Sequence, residues 1–350
     1  MEFYFAPLEG ITRYIFRNAY ERYYKGIEKY FDPFISPTDN CFMTPKNLRE
    51  VCREHNEGIN LVPQILCNNS KAYIGCAKEL INMGYREINF NLGCPSGTVC
   101  AKRKGAGFLD SWYELEKFFD DIFAWAESED GIVDGNEHVK LSIKTRLGRL
   151  DPDDFYDLLE IYNNYPVSEL IIHPRIEKDY YKGTPRKEYF EYAAAHSKIP
   201  IVYNGNIFSA NDITSLENML SDLRDKTITE LANKSVVETA GDLRTNTLIV
   251  KDVCMLGRGL LYNPEIIEKY NNQDETDGFN YERFRAFHDE LYNNYKQIMS
   301  PDKNVLFHMK ELWTYWRGLF DDDSTIKNLL KSKSFTEYDI CVRKLFGKFL

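Results

Sequence analysis

The stretch Glu87-Ile88-Asn89-Phe90-Asn91-Leu92-Gly93-Cys94-Pro95 decides how the chain is read. An apolar, β-forming run ends in a glycine that frees the backbone, a thiol, and a proline that fixes the backbone again. A cysteine set just past a strand end in this way is stiffly held and points out of the sheet edge. That setting suits a proton donor or a nucleophile, and a structural cysteine also fits it.

Runs of the same kind recur on both sides of this stretch, at 3–7, 33–36, 61–66, 139–145, 169–173, 199–203 and 253–257. With 87–91 they make eight strands, most of them separated by a helical pattern. Eight β/α units spread over roughly 260 residues predict an α/β fold of the closed (β/α)8 TIM-barrel type rather than an open sheet. Helix starts carry capping chemistry. Ser111-Trp112-Tyr113-Glu114 reads as a capping box, followed by Leu115, Phe119, Ile122 and Phe123 at helical spacing. Asp151-Pro152-Asp153-Asp154 and Ser209-Ala210-Asn211-Asp212 read as further helix starts. The polar stretch 218–246 is too long for an ordinary connection and reads as a variable, partly helical insertion. The run 271–278 reads as a linker. The expected organisation is therefore a barrel over 1–270 and an all-α helical domain over 279–350.

Of the 350 residues, 43% are hydrophobic and 28% charged, the composition of a soluble globular protein. No apolar run approaches a membrane span, and the N-terminus lacks a basic start with a long apolar segment, so a cytoplasmic protein is expected. The eight cysteines form no C-x-x-C pair, which argues against a metal site and for reduced thiols. A net charge of −10 argues against broad adhesion to nucleic acid. It leaves room for a local basic surface such as Lys102-Arg103-Lys104.

In a barrel, functional residues gather at the C-terminal ends of the strands. Those ends here carry Ala6-Pro7-Leu8-Glu9-Gly10, Gln64, Asn91 with Cys94, Lys144 with Arg146, His173 with Arg175, Asn204-Gly205-Asn206 and Gly257-Arg258-Gly259. Each has a bland explanation alone; Gln64 fits a satisfied core amide and His173 a structural histidine. Together they read as a site. Loops after the seventh and eighth strands commonly hold a phosphate through backbone N–H groups that glycine lets approach closely. A lysine beneath an electron-rich ring stabilises a reduced, anionic flavin. Flavin mononucleotide is therefore the expected cofactor, and no G-x-G-x-x-G follows a strand.

The set Ala6-Pro7-Leu8-Glu9-Gly10-Ile11-Thr12, Asn91-Leu92-Gly93-Cys94-Pro95, Lys144-Thr145-Arg146-Leu147-Gly148, His173-Pro174-Arg175, Asn204-Gly205-Asn206-Ile207 and Gly257-Arg258-Gly259 closely resembles the tRNA-dihydrouridine synthases. The resemblance covers nearly the whole barrel, in the family's order and roughly its spacing. It implies bound FMN, NADPH as reductant, uridine in tRNA as substrate, and neither a metal nor an obligate protein partner. Hydride would reach C6 of the base and Cys94 would protonate C5. Asn91, Arg146 and Arg175 would contact the uracil. Ala6, Pro7, Leu8, Gln64, Lys144 and His173 would contact the flavin, and Asn204, Gly205, Asn206, Gly257 and Arg258 its phosphate. Lys102, Arg103 and Lys104 would hold the tRNA at the rim. The tail, with His308-Met309-Lys310-Glu311-Leu312-Trp313, is similar to the family's helical tRNA-binding domain. Arg13 stands where family members often carry an acid.

Overall fold

Eight short segments rich in β-branched and aromatic residues form the sheet in the computed structural model, which describes residues 1–234, 249–273 and 278–349. They are β1 Glu2–Phe5, β2 Lys29–Phe31, β3 Leu61–Val62 with Gln64–Ile65, β4 Glu87–Leu92, β5 Lys140–Gly148, β6 Leu170–Ile176, β7 Ile201–Tyr203 and β8 Val250–Leu256. The hydrogen-bonded order runs from the first half of β3 through β2, β1, β8, β7, β6, β5 and β4 to the second half of β3. Both ends of that order are one strand, interrupted at Pro63, which has no N–H to donate. The ladder continues past it, since Asn89 N donates to Pro63 O at 2.9 Å. The sheet thus returns to its start as a parallel barrel with helices between its strands, and a helical region follows over 281–346.

The strand expected at 33–36 lies earlier, at Lys29–Phe31. Proline at 33 cannot donate to the ladder, and the chain rejoins it only at Ile35, which bridges to Ile65. A two-stranded hairpin, Ile132–Asp134 with Glu137–His138, turns through Gly135 at φ +55° and was absent from the sequence reading. The helix Trp112–Ala126 starts where expected, yet Ser111 makes no side-chain cap and its hydroxyl turns to Asp110 Oδ1 instead. The helix after Asp151 begins only at Asp154. At Ser209 the expected cap forms: Asp212 N donates to Ser209 Oγ at 3.1 Å, and Asp212 Oδ2 accepts Ser209 N at 3.0 Å. Within the expected insertion, 218–234 continues the helix Ala210–Lys234, and 235–246 lies outside the described residues. The same holds for 274–277 of the expected linker.

The chain divides into two compact units. Met1–Pro7, Glu28–Asn206 and Ser215–Met255 form the first; Leu8–Ile27, Ile207–Thr214 and Leu256–Leu350 form the second. In the first, Tyr4, Ala6, Phe31, Val62, Ile171, Val202, Val253 and Met255 form one buried apolar cluster, drawn from six of the strand segments and their ends. Side chains alternate faces along a strand. On β4, Ile88, Phe90 and Leu92 are buried on one face, where Phe90 stacks on Phe118 with ring centroids 4.8 Å apart. The other face carries Glu87, Asn89 and Asn91. In the second unit, helix Tyr14–Tyr23 meets helix Tyr281–Ile298, with Phe16 edge-on to Phe287 at 5.6 Å. Tyr20 donates its hydroxyl to Pro264 O at 3.0 Å. Among the described residues no helix is long and apolar enough to cross a membrane.

Candidate active site

The turn that presents Cys94 is built by the strand residue just before it. Asn91 Oδ1 accepts both Gly93 N, at 3.0 Å, and Cys94 N, at 2.9 Å. Cys94 O in turn accepts Ala106 N at 3.1 Å and the Cys100 thiol at 3.4 Å. Gly105 makes that closure possible: its φ is +56°, and a Cβ there would lie 2.8 Å from Cys94 O. The segment Gly105-Ala106-Gly107 therefore braces the cysteine turn from behind. Between the turn and the brace, Lys102 and Arg103 are exposed, and Lys104 Nζ donates to Ser36 Oγ at 3.3 Å.

Strand register gathers the remaining groups. Asn91 pairs with Lys144 across β4 and β5, and Arg146 pairs with His173 across β5 and β6. The Lys144 ammonium has no hydrogen-bond or ion-pair partner among the described residues. Its pKa is pushed down to about 7, chiefly because surrounding protein strips its hydration and secondly because the Arg146 charge repels it. The neighbouring Cys94 acts the other way. Arg146 is buried and its pKa lowered to about 10, mainly by desolvation. Its Nε, Nη1 and Nη2 donate to the carbonyls of Gly93, Ile176 and Tyr180 at 2.8, 3.0 and 2.8 Å. Arg146 thus ties the cysteine turn to the loop after β6.

Arg175, also buried, anchors the far side of that loop through Lys182 O at 3.1 Å and Gly183 O. Its Nη1 meets His173 Nε2 at 3.0 Å and Asn206 Oδ1 at 3.2 Å. A guanidinium only donates, so His173 Nε2 accepts, which puts the neutral imidazole's proton on Nδ1. Asn204 Nδ2 donates to Met255 O at 2.8 Å. Gly205 has no room for a side chain, since a Cβ would lie 2.3 Å from the Tyr203 hydroxyl. Of the strand-end residues in the first unit, Asn91, Cys94, Lys144, Arg146, His173, Arg175 and Asn206 are joined by these bonds and pairings, and Asn91 Nδ2 donates to Gln64 Oε1 at 2.7 Å. Ala6 belongs to the apolar cluster. In the second unit, Leu8 N donates to Thr12 Oγ1 at 2.8 Å. Gly257 precedes the short helix Arg258–Tyr262, and the Arg258 guanidinium lies over the Phe208 ring at 5.4 Å.

The arrangement can donate hydrogen bonds from amide N–H groups, hold a cation beside a thiol, and tie the loop after β6 to the cysteine turn. A family model for dihydrouridine synthases (Dus) matches residues 4–222. The chain belongs to the dihydrouridine synthase family. Among relatives of this family member, a probable tRNA-dihydrouridine synthase of Staphylococcus epidermidis (strain ATCC 12228) is 23% identical over 344 residues, covering 96% of this chain and 90% of the relative. Another from Staphylococcus aureus (strain Mu50) is 25% identical over 339 residues, with the same coverage. A tRNA-dihydrouridine(16) synthase of Vibrio vulnificus (strain CMCP6) is 27% identical over 156 residues, 44% of this chain and 46% of the relative.

Sequence reasoning missed residues that touch this candidate site. Tyr181, 45% exposed, lies with its ring 6.2 Å from the His173 ring and under the Arg146 guanidinium at 5.7 Å. It is carried there by Tyr180, whose φ of +50° turns the loop back. No motif marks it; two tyrosines in a polar loop were the only signal. Asn89 and Ser142, both fully buried, were also missed, although the polar alternation Glu87, Asn89, Asn91 was present in the stretch that opened the reading.

Proposed function

We propose that this chain is an FMN-dependent tRNA-dihydrouridine synthase that reduces the C5–C6 double bond of a uridine in tRNA, with NADPH as reductant and Cys94 as the proton donor. One observation carries the reading: a cysteine turn, fixed by Asn91 and braced by Gly105, sits beside a lysine on the adjacent strand that has no hydrogen-bond or ion-pair partner among the described residues. A barrel held together only for stability has no use for that lysine, whose burial is costly.

The residues fit a flavin. Gln64 and Asn91 each keep an amide N–H beyond those engaged within the protein, suited to the carbonyl acceptors of such a ring. Lys144 supplies the cation that an electron-rich ring favours when reduced. When bound, the flavin supplies the hydride for C6. Cys94 would give its Sγ proton to C5, and the thiolate left behind would be stabilised by the Lys144 ammonium. His173, held by Arg175, keeps one tautomer and thus one donor direction. Arg146 and Arg175 act by fixing the loop that carries Tyr181. The phosphate role of Gly257 and Arg258 rests on the sequence alone.

The substrate base is tucked inside folded tRNA and must be extruded to react. Exposed Lys102 and Arg103 are placed to hold the backbone next to the cysteine turn. Residues 1–270 are proposed as the catalytic domain and 279–350 as the tRNA-binding domain of a cytoplasmic enzyme. With a net charge of −10, binding through a local patch weakens steeply as salt rises. The deciding experiment is mapping dihydrouridine in tRNA from cells lacking this protein, complemented with the wild type or Cys94→Ala. One or more positions should lose dihydrouridine and regain it only with the wild type. Full restoration by Cys94→Ala would end the proton-donor assignment.

A further inference from the structure

Behind Asn91 runs a line of buried polar side chains that crosses three strands and ends far from the thiol. Asn91 Nδ2 donates to Gln64 Oε1 at 2.7 Å, and Gln64 Nε2 to Asn89 Oδ1 at 2.8 Å. Asn89 Nδ2 donates to Ser142 Oγ at 2.9 Å, and the Ser142 hydroxyl to Glu87 Oε1 at 3.1 Å. The other Glu87 oxygen receives Lys29 Nζ at 2.8 Å. Gln64, Asn89 and Ser142 are fully buried.

The chain has a single consistent direction. Backbone N–H groups at Gly93 and Cys94 can only donate, so Asn91 must turn its oxygen to them and its nitrogen to Gln64. That choice fixes Gln64, then Asn89, then Ser142. At the far end, a carboxylate paired with Lys29 can only accept, so both ends demand the same polarity. A chain satisfied in one direction only holds its members rigidly, because flipping any amide leaves buried groups unpaired.

We propose that Asn89 and Ser142, anchored by Glu87, are positioning residues: they lock the amide of Gln64, and through it Asn91 and the Cys94 turn. The inference rests on the reading of Cys94 as the acid, and it adds that the barrel interior sets where that acid sits. The polarity also leaves N–H groups, not carbonyls, as what Gln64 and Asn91 offer a ligand.

The test compares Ser142→Val with Ser142→Thr, two side chains of one shape that differ by the hydroxyl. In full-length protein with saturating NADPH, Ser142→Val should lower kcat for tRNA about tenfold with KM for tRNA unchanged, while Ser142→Thr stays within about twofold of the wild type. Independently of turnover, the rate at which iodoacetamide alkylates Cys94, followed by peptide mass mapping, should change at least about threefold in Ser142→Val and not in Ser142→Thr. If Ser142→Val does not fold, Ser142→Ala removes the hydroxyl without adding bulk. Equal behaviour of the Val and Thr variants in both measurements, or a loss confined to KM, overturns the proposal. Cys94→Ser, run in parallel, separates the two ideas. Should it stay fully active, the acid role falls, and the alkylation comparison alone decides whether Ser142 positions the turn.

Discussion

Two buried polar chains, one in each unit, share a plan and differ in what they leave over. The barrel chain starts at the Cys94 N–H and ends at the Glu87 carboxylate. In the helical region, Trp313 Nε1 donates to Tyr338 Oη at 2.8 Å, and Tyr338 Oη meets His288 Nε2 at 2.7 Å. His288 Nδ1 then meets Asp289 Oδ1 at 2.8 Å. Read as a neutral imidazole, His288 accepts from the tyrosine and donates to the carboxylate, so this chain too has one direction. It ends on Asp289, whose other oxygen receives Arg285 Nε at 2.6 Å, and it fastens helix Tyr281–Ile298 to Asp302–Trp316 and Phe335–Phe346. The three amides of the barrel chain each keep one N–H beyond its bonds, and the chain ends in a turn that carries a thiol. A closed chain can only stabilise, whereas an open one can also hold something in place.

That contrast yields a crossed pair of expectations. Asn89→Leu removes the middle of the barrel chain and strips Gln64 and Ser142 of partners, so kcat should fall about 100-fold, with stability reduced by about 1–3 kcal/mol. Tyr338→Phe, by contrast, should lower unfolding free energy by about 2 kcal/mol, since it orphans the Trp313 N–H and His288 Nε2, while kcat at 25 °C stays at the wild-type value. Denaturant melts and steady-state kinetics on both variants check the crossing. A stable but inactive Tyr338→Phe would erase the distinction.

Lys144 sharpens the same contrast at a single residue, because its burial lowers stability within the candidate site. Its pKa falls from 10.5 to about 7 on folding, so the folded state resists the proton more than the unfolded state does. The resulting cost is complete below pH 7 and fades as pH rises towards 10.5. Lys144→Met should therefore raise Tm by about 3 °C at pH 6, less at pH 9, and abolish turnover at both. Thermal melts at the two pH values test it, and an unchanged Tm at pH 6 would show that the ammonium is well solvated.

The barrel was legible because its strands are apolar runs ended by turn residues, with polar residues clustered at their C-terminal ends. Where legibility failed, the cause was contact between distant residues. Nothing in the run 33–36 reveals that Pro33 breaks the ladder until its partner strand is known. Asn89 reads as an ordinary strand residue; that it meets Gln64 and Ser142 depends on register across three strands. Likewise the segment Leu8–Ile27 follows the first strand in sequence yet belongs with the helical region, because Phe16 and Tyr20 find their partners at Phe287 and Pro264. The Cys94 turn is legible because its signal, a glycine before and a proline after, is local.

The smallest effect concerns the proton on His288. Burial pushes its pKa below the ordinary histidine value, Arg285 pushes the same way, and Asp289 and Asp339 oppose them. A base whose pKa is depressed on folding binds its proton more readily in the unfolded chain. Its contribution to stability is therefore present above the unfolded value near 6.5 and lost as pH falls through it towards the lower folded value. Wild-type protein should lose stability between pH 7 and pH 5.5 from this group. His288→Gln should be less stable than wild type at pH 7 and should lack that part of the slope. Unfolding curves at four pH values across this window measure it. A slope that survives His288→Gln would assign the titration elsewhere and leave the helical chain as a purely geometric fastening.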